Sequence, residues 1–145
     1  SRSGWHGPDL QRTLSKKGER QAAGLAALLN GAAISAIHSS PAVRCLDTVA
    51  PMATTKGVNV HETEALLEGA EPKAAMHLLR DQVGALGDTV LCAHGDLIPE
   101  VLRRLAKDGT KLHGGDRWAK GSMWELEVND GAVVSGRYHP PPEAR

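Results

Sequence analysis

The chain has 145 residues, and its 17 Lys+Arg balance 17 Asp+Glu, so the formal charge at neutral pH is zero. That length suits one domain with a real core, and the charge balance excludes the uniformly basic footprint of a nucleic-acid binder. No apolar run approaches the roughly 18 residues a membrane span needs, and Ser1-Arg2-Ser3-Gly4 does not open a signal peptide, so no membrane partner is expected.

Residues 1–14 are polar and rich in Gly and Pro, which predicts a loop. Ser15 is positioned as the N-cap of a helix whose inner face carries Ala22, Leu25, Ala26 and Leu29, with Asn30-Gly31 as its stop. Ala33 to His38 reads as a short strand. Ser40 as N-cap and Pro41 at the first helical position predict a second helix, with Val43, Leu46, Val49, Ala50 and Ala53 facing inward and Lys56-Gly57 at its end. A short strand over Val58 to His61 leads into an acidic loop, Glu62 to Glu71. A third helix follows from about Pro72 to Val83.

Thr89 to Ala93 is an apolar run that ends abruptly on His94-Gly95, and Ile98, Val101, Leu102 and Leu105 then recur at helical spacing. Residues 108–121 are rich in Gly and Lys and predict a surface excursion. Asn129-Asp130-Gly131 separates two alternating runs, Ser122 to Val128 and Ala132 to Tyr138, the signature of a β-hairpin. The prolines at 140–142 belong on the surface. Strands alternating with helices predict a three-layer α/β/α domain over residues 1–145, with a mainly parallel sheet and an antiparallel edge hairpin.

Two strand-to-helix junctions carry a polar side chain each: Arg44 after Ser39-Ser40-Pro41, and His94 after Val90-Leu91-Cys92-Ala93. Taken alone, His94 reads as a core histidine at a strand end, and Arg44 as half of a surface salt bridge with Asp47 or Glu19. If their strands are neighbours, both side chains enter one crevice at the carboxyl edge of the sheet, where ligand sites of such sheets gather. An Arg fork matches phosphate oxygens, and a buried His beside it can stabilise charge on a transferring phosphoryl group. The two cysteines, Cys45 on a helix and Cys92 on a buried strand, are expected to be free thiols, which favours a cytoplasmic setting. His38 ends its strand near the same crevice but reads as a packed or half-exposed residue. No His-x-x-x-His or Cys-x-x-Cys spacing predicts a metal site.

The segments Asp9-x-x-Arg12-x-Leu14-x-x-x-Gly18-x-x-Gln21-Ala22, Ser39-Ser40-Pro41-x-x-Arg44-Cys45-x-x-Thr48 and Cys92-Ala93-His94-Gly95-Asp96 occur in that order. Together they resemble the histidine phosphatase superfamily, with its phosphoglycerate mutase-like fold, and most closely its small SixA-like branch. Arg117 to Tyr138 is similar to the carboxyl-terminal end of actinobacterial members that follow a MutT-type Nudix domain. The resemblance implies phosphoryl transfer from a monoester to a histidine, followed by hydrolysis of the phosphohistidine. It implies that Arg44 binds the phosphate, that His94 is the second pocket histidine, and that Glu68, in Leu66-Leu67-Glu68, protonates the leaving oxygen. Glu62, Glu64 and Glu71 share that loop, so the run also reads as a solvated acidic face.

One part of the family's pattern is missing. Its nucleophile lies in an Arg-His-Gly or Arg-His-Ala motif at the end of a first, central strand, which belongs a few residues before Ser1; Gly4-Trp5 resembles a pair found downstream of it, and His6 follows no apolar strand. The expectation is therefore a chain whose first strand is supplied from outside this sequence, and which is inactive alone. The expected ligand is a small phosphorylated metabolite or nucleotide. No cofactor is expected for this domain, and Mg2+ only with an attached Nudix domain. The competing expectation is a non-catalytic phosphate-binding or interaction module that stabilises an attached enzyme.

Overall fold

The computed structural model describes residues 7–115 and 117–142. The expectations for Gly4-Trp5 and His6 lie outside the described residues. After a single 3-10 turn at Asp9–Gln11, helix α1 spans Lys16–Leu28, with the Ser15 hydroxyl accepting from the Gly18 N–H at 3.1 Å as the capping pattern predicts. Strand β1 covers Ile34–Ser39, helix α2 Val43–Lys56, and β2 Val60–Glu62. Helix α2 stops at Gly57, whose φ of +66° is open to glycine and strained for other residues. A 3-10 turn at Glu64–Leu66 precedes helix α3, Pro72–Asp81; strand β3 is Asp88–Cys92 and helix α4 Ile98–Lys107.

Strands β2, β1 and β3 form a parallel sheet with β1 in the middle. Its two faces are covered separately. Leu25, Ile34, Ile37, Val49 and Met52 pack α1 and α2 against one face, with Val90 and Cys92 alongside. Leu66, Ala75 and Leu97 occupy the other, with Leu91 and Ala93 alongside, and Met76, Leu79 and Leu105 continue that layer between α3 and α4. The alternation within β3, Val90 and Cys92 to one side and Leu91 and Ala93 to the other, is the period of a strand buried on both faces. The result is a three-layer α/β/α fold with a mostly parallel sheet.

Three local features differ from expectation. Helix α2 begins at Val43 with Ala42 as its N-cap and no side-chain cap, so Ser40 is not the cap. The Ser40 N–H instead extends the sheet by donating to the Cys92 carbonyl at 2.9 Å, and its hydroxyl is occupied by Ala42 N–H and His94. The excursion at 108–121 contains a strand, β4 (Lys111–His113), which pairs parallel with β6. Its alternation is too short to register as a period, and only its long-range partner defines it. The hairpin forms as expected: β5 (Met123–Asn129) and β6 (Ala132–His139) are antiparallel, and Asp130 and Gly131 have φ of +50° and +78°, the positive pair of a type I′ turn. However, it belongs to a second sheet of order β4-β6-β5. Leu126 and Val133 join this sheet to the Met76-Leu79-Leu105 layer by side-chain packing. Among the described strands, β2, β3, β4 and β5 each pair on one side only. Pro142 packs against Gly24 of α1, where a side chain would collide with its ring. No described helix is long and apolar enough to cross a membrane.

Candidate functional site

The parallel pairing of β1 with β3 sets Ser39 opposite Cys92, so the segments that leave these strands start side by side. One carries Ser40 and, in the first turn of α2, Arg44; the other carries His94. The Arg44 Nη2 lies 3.2 Å from the His94 Nδ1, and the His94 Nε2 lies 2.8 Å from the Ser40 hydroxyl. A guanidinium can only donate, so Nδ1 accepts and Nε2 carries the proton that Ser40 receives. The imidazole is thereby held in one tautomer and one orientation, with 7 % of the residue exposed.

Arg44 is held on its other sides by acidic groups. Its Nη1 donates to the Asp9 carbonyl at 3.0 Å, and its Nη2 lies 3.2 Å from an Asp9 carboxylate oxygen and 3.6 Å from a Glu68 carboxylate oxygen. Neither Asp47 nor Glu19 is its partner. Arg12, buried to 7 % exposure, donates its Nε to the second oxygen of Asp9 at 3.2 Å, so Asp9 bridges two guanidinium groups. The crevice therefore gathers two arginines, one histidine and two carboxylates, a donor-rich pocket fit for a small oxyanion that displaces a carboxylate from the Arg44 fork.

Glu68 reaches the site through packing beneath it. Leu66, two residues earlier, is 2 % exposed in the cluster with Ala75 and Leu97, which pins the end of the acidic loop on the sheet. The next residue, Gly69, adopts φ +82° and donates its N–H to the Asp96 carboxylate at 2.8 Å. Asp96 lies two residues after His94, so one hydrogen bond ties the carboxylate loop to the histidine loop. A third segment packs against the histidine loop. The Trp118 ring packs on Gly95 so closely that an added Cβ would sit 3.1 Å from it. Its strap is anchored by the Trp124 indole N–H donating to the Arg117 carbonyl at 2.8 Å and by the Ser122 hydroxyl accepting from the Ala119 N–H at 3.1 Å.

The structure thus brings Arg44 and His94 together as the two junctions suggest, and it sets Glu68, which only the family resemblance implied, 3.6 Å from Arg44. Asp9, Arg12, Ser40 and Trp118 were not legible as parts of the site. The signal for Arg12 and Asp9 was present only as the Asp9-x-x-Arg12 spacing, whose meaning depends on a contact 35 residues away in sequence. His38 does not join: its ring faces His61 across the β1–β2 pair, 5.4 Å between centroids. Two surface grooves lie elsewhere, one between α1 and α2 and one lined by Lys73, His77, Arg80 and Arg104. The convergence of buried charge, not concavity, marks the site.

The thiols of Cys45 and Cys92 lie directly under this pair. The Cys45 Sγ is 3.7 Å from His94 Nε2, and the Cys92 thiol donates to the Cys45 carbonyl at 3.7 Å. Both are free, and contrary to the impression of separate places, their helix and strand bring them into contact. A hydrogen bond from Cys92, reinforced by His94 and by the charge of Arg44, outweighs burial and lowers the Cys45 thiol from 9.0 to about 5. The same hydrogen bond, together with burial, pushes Cys92 upward.

Residues 2–73 match the sequence pattern of the histidine phosphatase superfamily, branch 1. The chain is 32 % identical over 150 aligned positions to an 8-oxo-(d)GTP phosphatase of Mycolicibacterium smegmatis; the match takes in 99 % of this chain but spans only 46 % of that relative's length. Among solved structures, the protein histidine phosphatase SixA in complex with tungstate superposes with a TM-score of 0.73 at 15 % identity, over 94 % of this chain and 86 % of the other. A Nakamurella multipartitia protein assigned as a SixA phosphohistidine phosphatase superposes with a TM-score of 0.69 at 25 % identity, over 95 % and 90 %. Over residues 2–73, just under half of the chain, the sequence pattern and the fold thus agree in their likeness to the histidine phosphatase superfamily.

Proposed function

We propose that this chain is a histidine phosphatase domain that hydrolyses phosphate monoesters, with nucleotides as the substrate class. The observation that carries this reading is the Arg44 guanidinium, 3.2 Å from His94 and 3.6 Å from Glu68. Phosphate monoester hydrolysis is among the slowest uncatalysed reactions, so catalysis depends on groups that hold and neutralise the transferring phosphoryl oxygens. Arg44 binds two of those oxygens with its fork. His94, oriented by Ser40, supplies a further contact as charge builds. Glu68 gives a proton to the leaving alcohol oxygen and then takes one from the attacking water.

The nucleophile in this reading is a second histidine contributed by a strand from outside this sequence. Its ring nitrogen attacks phosphorus, the phosphorus–oxygen ester bond breaks, and water later splits the phosphohistidine. The open edge of β3, the strand that leads to His94, offers a place for that strand, because an open edge in a core sheet leaves backbone groups to be satisfied. The name of the mycolicibacterial relative supports a nucleotide substrate, and the tungstate in SixA supports an oxyanion pocket. Because the chain spans about half of that relative, an attached Nudix domain, with its own Mg2+, remains part of the proposal. The present domain calls for no metal, since two arginines supply positive charge and His94 an oriented hydrogen-bonding ring.

The test is phosphate release from nucleoside mono- and diphosphates and p-nitrophenyl phosphate by the polypeptide in its natural sequence context. Activity that vanishes in Arg44→Ala and His94→Ala supports the reading; an inactive parent, or unaffected variants, overturns it. The alternative, a non-catalytic phosphate-binding module, draws on the fact that Asp9 and Glu68 already occupy Arg44. Saturable phosphate binding without turnover would favour it.

A further inference from the structure

Cys45 follows Arg44 on α2, and Cys92 closes β3 two residues before His94. Neither thiol has a part in the phosphate chemistry above. The Cys92 thiol donates to the Cys45 carbonyl at 3.7 Å, which places the two side chains against one another. The Cys45 Sγ stands 3.7 Å from both the His94 Nε2 and the Ala93 carbonyl. Cys45 is only 5 % exposed, but its polar neighbours, Arg44 and His94, are those that line the crevice.

The groups around Cys45 are those that make a thiolate: a donor thiol, an imidazole N–H and a guanidinium. Cys92, held beside it, is placed to resolve an oxidised sulfur. Both cysteines sit on rigid elements, so the pair is preorganised rather than brought together by a loop.

We propose that Cys45 and Cys92 form a redox modification site, in which a hydroperoxide oxidises Cys45 and Cys92 then closes an intrachain disulfide that impairs the Arg44–His94 pocket. The Cys45 sulfur attacks the outer peroxide oxygen, the O–O bond breaks, and the leaving oxygen departs as water or an alcohol after taking a proton. This leaves Cys45 as a sulfenic acid. The Cys92 thiol loses its proton and attacks the Cys45 sulfur; the S–O bond breaks and the hydroxyl leaves as water. Across both steps two thiols lose two electrons and two protons, and the peroxide is reduced. A disulfide brings the two sulfurs to about 2.05 Å, well inside any non-bonded sulfur contact. It therefore draws the Cys45 sulfur from His94 Nε2 and pulls the first turn of α2, with Arg44, toward β3.

The cross-link does not rest on the phosphatase reading, whereas its effect on turnover does. The test treats the full natural polypeptide with hydrogen peroxide and maps its peptides without reduction. The expected result is a Cys45–Cys92 linked peptide, an intact mass lower by two hydrogen atoms, and reversal by dithiothreitol. Phosphate release is expected to fall about 100-fold, the order seen when a charge-stabilising donor is displaced, and to recover on reduction. In Cys92→Ser, a dimedone-type reagent should label Cys45. Two cysteines that still alkylate fully after peroxide, a link between separate chains, or label on Cys92 in Cys45→Ser but none on Cys45 in Cys92→Ser would each overturn the proposal. A cross-link that leaves turnover unchanged overturns its effect on the pocket. If Cys92→Ser does not fold, peptide mapping of the unaltered protein still decides. A reduced protein without phosphatase activity sinks the functional reading alone, since the mass measurement remains.

Discussion

Arg44 and His94, fifty positions apart, meet with a guanidinium nitrogen 3.2 Å from Nδ1 of the imidazole. The contact fixes the histidine as an acceptor on one side and a donor to Ser40 on the other. It places a permanent cation and an oriented ring on one small volume, flanked by Glu68.

Removing either group should separate catalysis from folding. Arg44→Ala and His94→Ala are each expected to lower phosphate release by about 100- to 1,000-fold, the range for losing one preorganised charge-stabilising donor. Arg44→Lys should recover only part, because a single ammonium cannot form the two parallel bonds of the fork. Circular dichroism of each variant alongside steady-state rates checks that the loss is chemical.

Ser40 is buried, with 0 % exposure, and is the partner of the His94 Nε2 proton. Ser40→Ala leaves that proton and the Ala42 N–H without their acceptor. The expected cost is about 1–3 kcal/mol in urea unfolding, the penalty for an unsatisfied buried donor. An unchanged unfolding midpoint would count against the network described for His94.

Asp96 is tied to the segment of the candidate acid through the Gly69 N–H. Asp96→Ala should therefore loosen the loop that carries Glu68 and lower kcat while leaving KM nearly unchanged, since the proton is needed only as the ester bond breaks. A rise in KM at constant kcat would show that the tether serves ground-state binding instead.

The cysteine pair predicts a specific pH dependence. The Cys45 thiol is lowered from 9.0 in the unfolded chain to about 5 in the folded one, so the folded state binds that proton more weakly. Its contribution to stability is complete above pH 9, declines as pH falls, and is gone below about 5. Cys92 is raised, so its effect has the opposite sign and appears only as pH climbs above 9.0. Urea midpoints of the reduced protein against Cys45→Ser should thus diverge between pH 5 and 9, and iodoacetamide should alkylate Cys45 with a midpoint near 5.

Chelation should leave the domain unaffected. Phosphate release from p-nitrophenyl phosphate is expected to persist in EDTA, whereas any pyrophosphate-cleaving step of an attached Nudix domain should stop. Loss of the first activity on chelation would require positive charge beyond Arg12 and Arg44.

Much of the fold was legible in the sequence because the signals are local. Ser15 caps α1, Gly57 ends α2, and the Asn129-Asp130-Gly131 turn forms the hairpin, each through backbone geometry decided within a few residues. The start of α2 was misplaced because Ser40 is claimed by partners on another strand, which no local capping rule contains. Strand β4 was missed for the same reason: three residues without their β6 partner carry no period.

By itself the sequence determined where the candidate residues stand: an arginine and a histidine, each just after a short strand, and an acidic loop between them. Only the tertiary structure decided what those residues do to one another. The parallel register of β1 and β3, the burial of Leu66 under the acidic loop and the salt bridges of Asp9 are contacts between distant segments. They set the His94 tautomer, aim Glu68 and pair the two thiols. A sequence states residue types and spacing; distance, burial and charge pairing exist only once the strands have been placed beside one another.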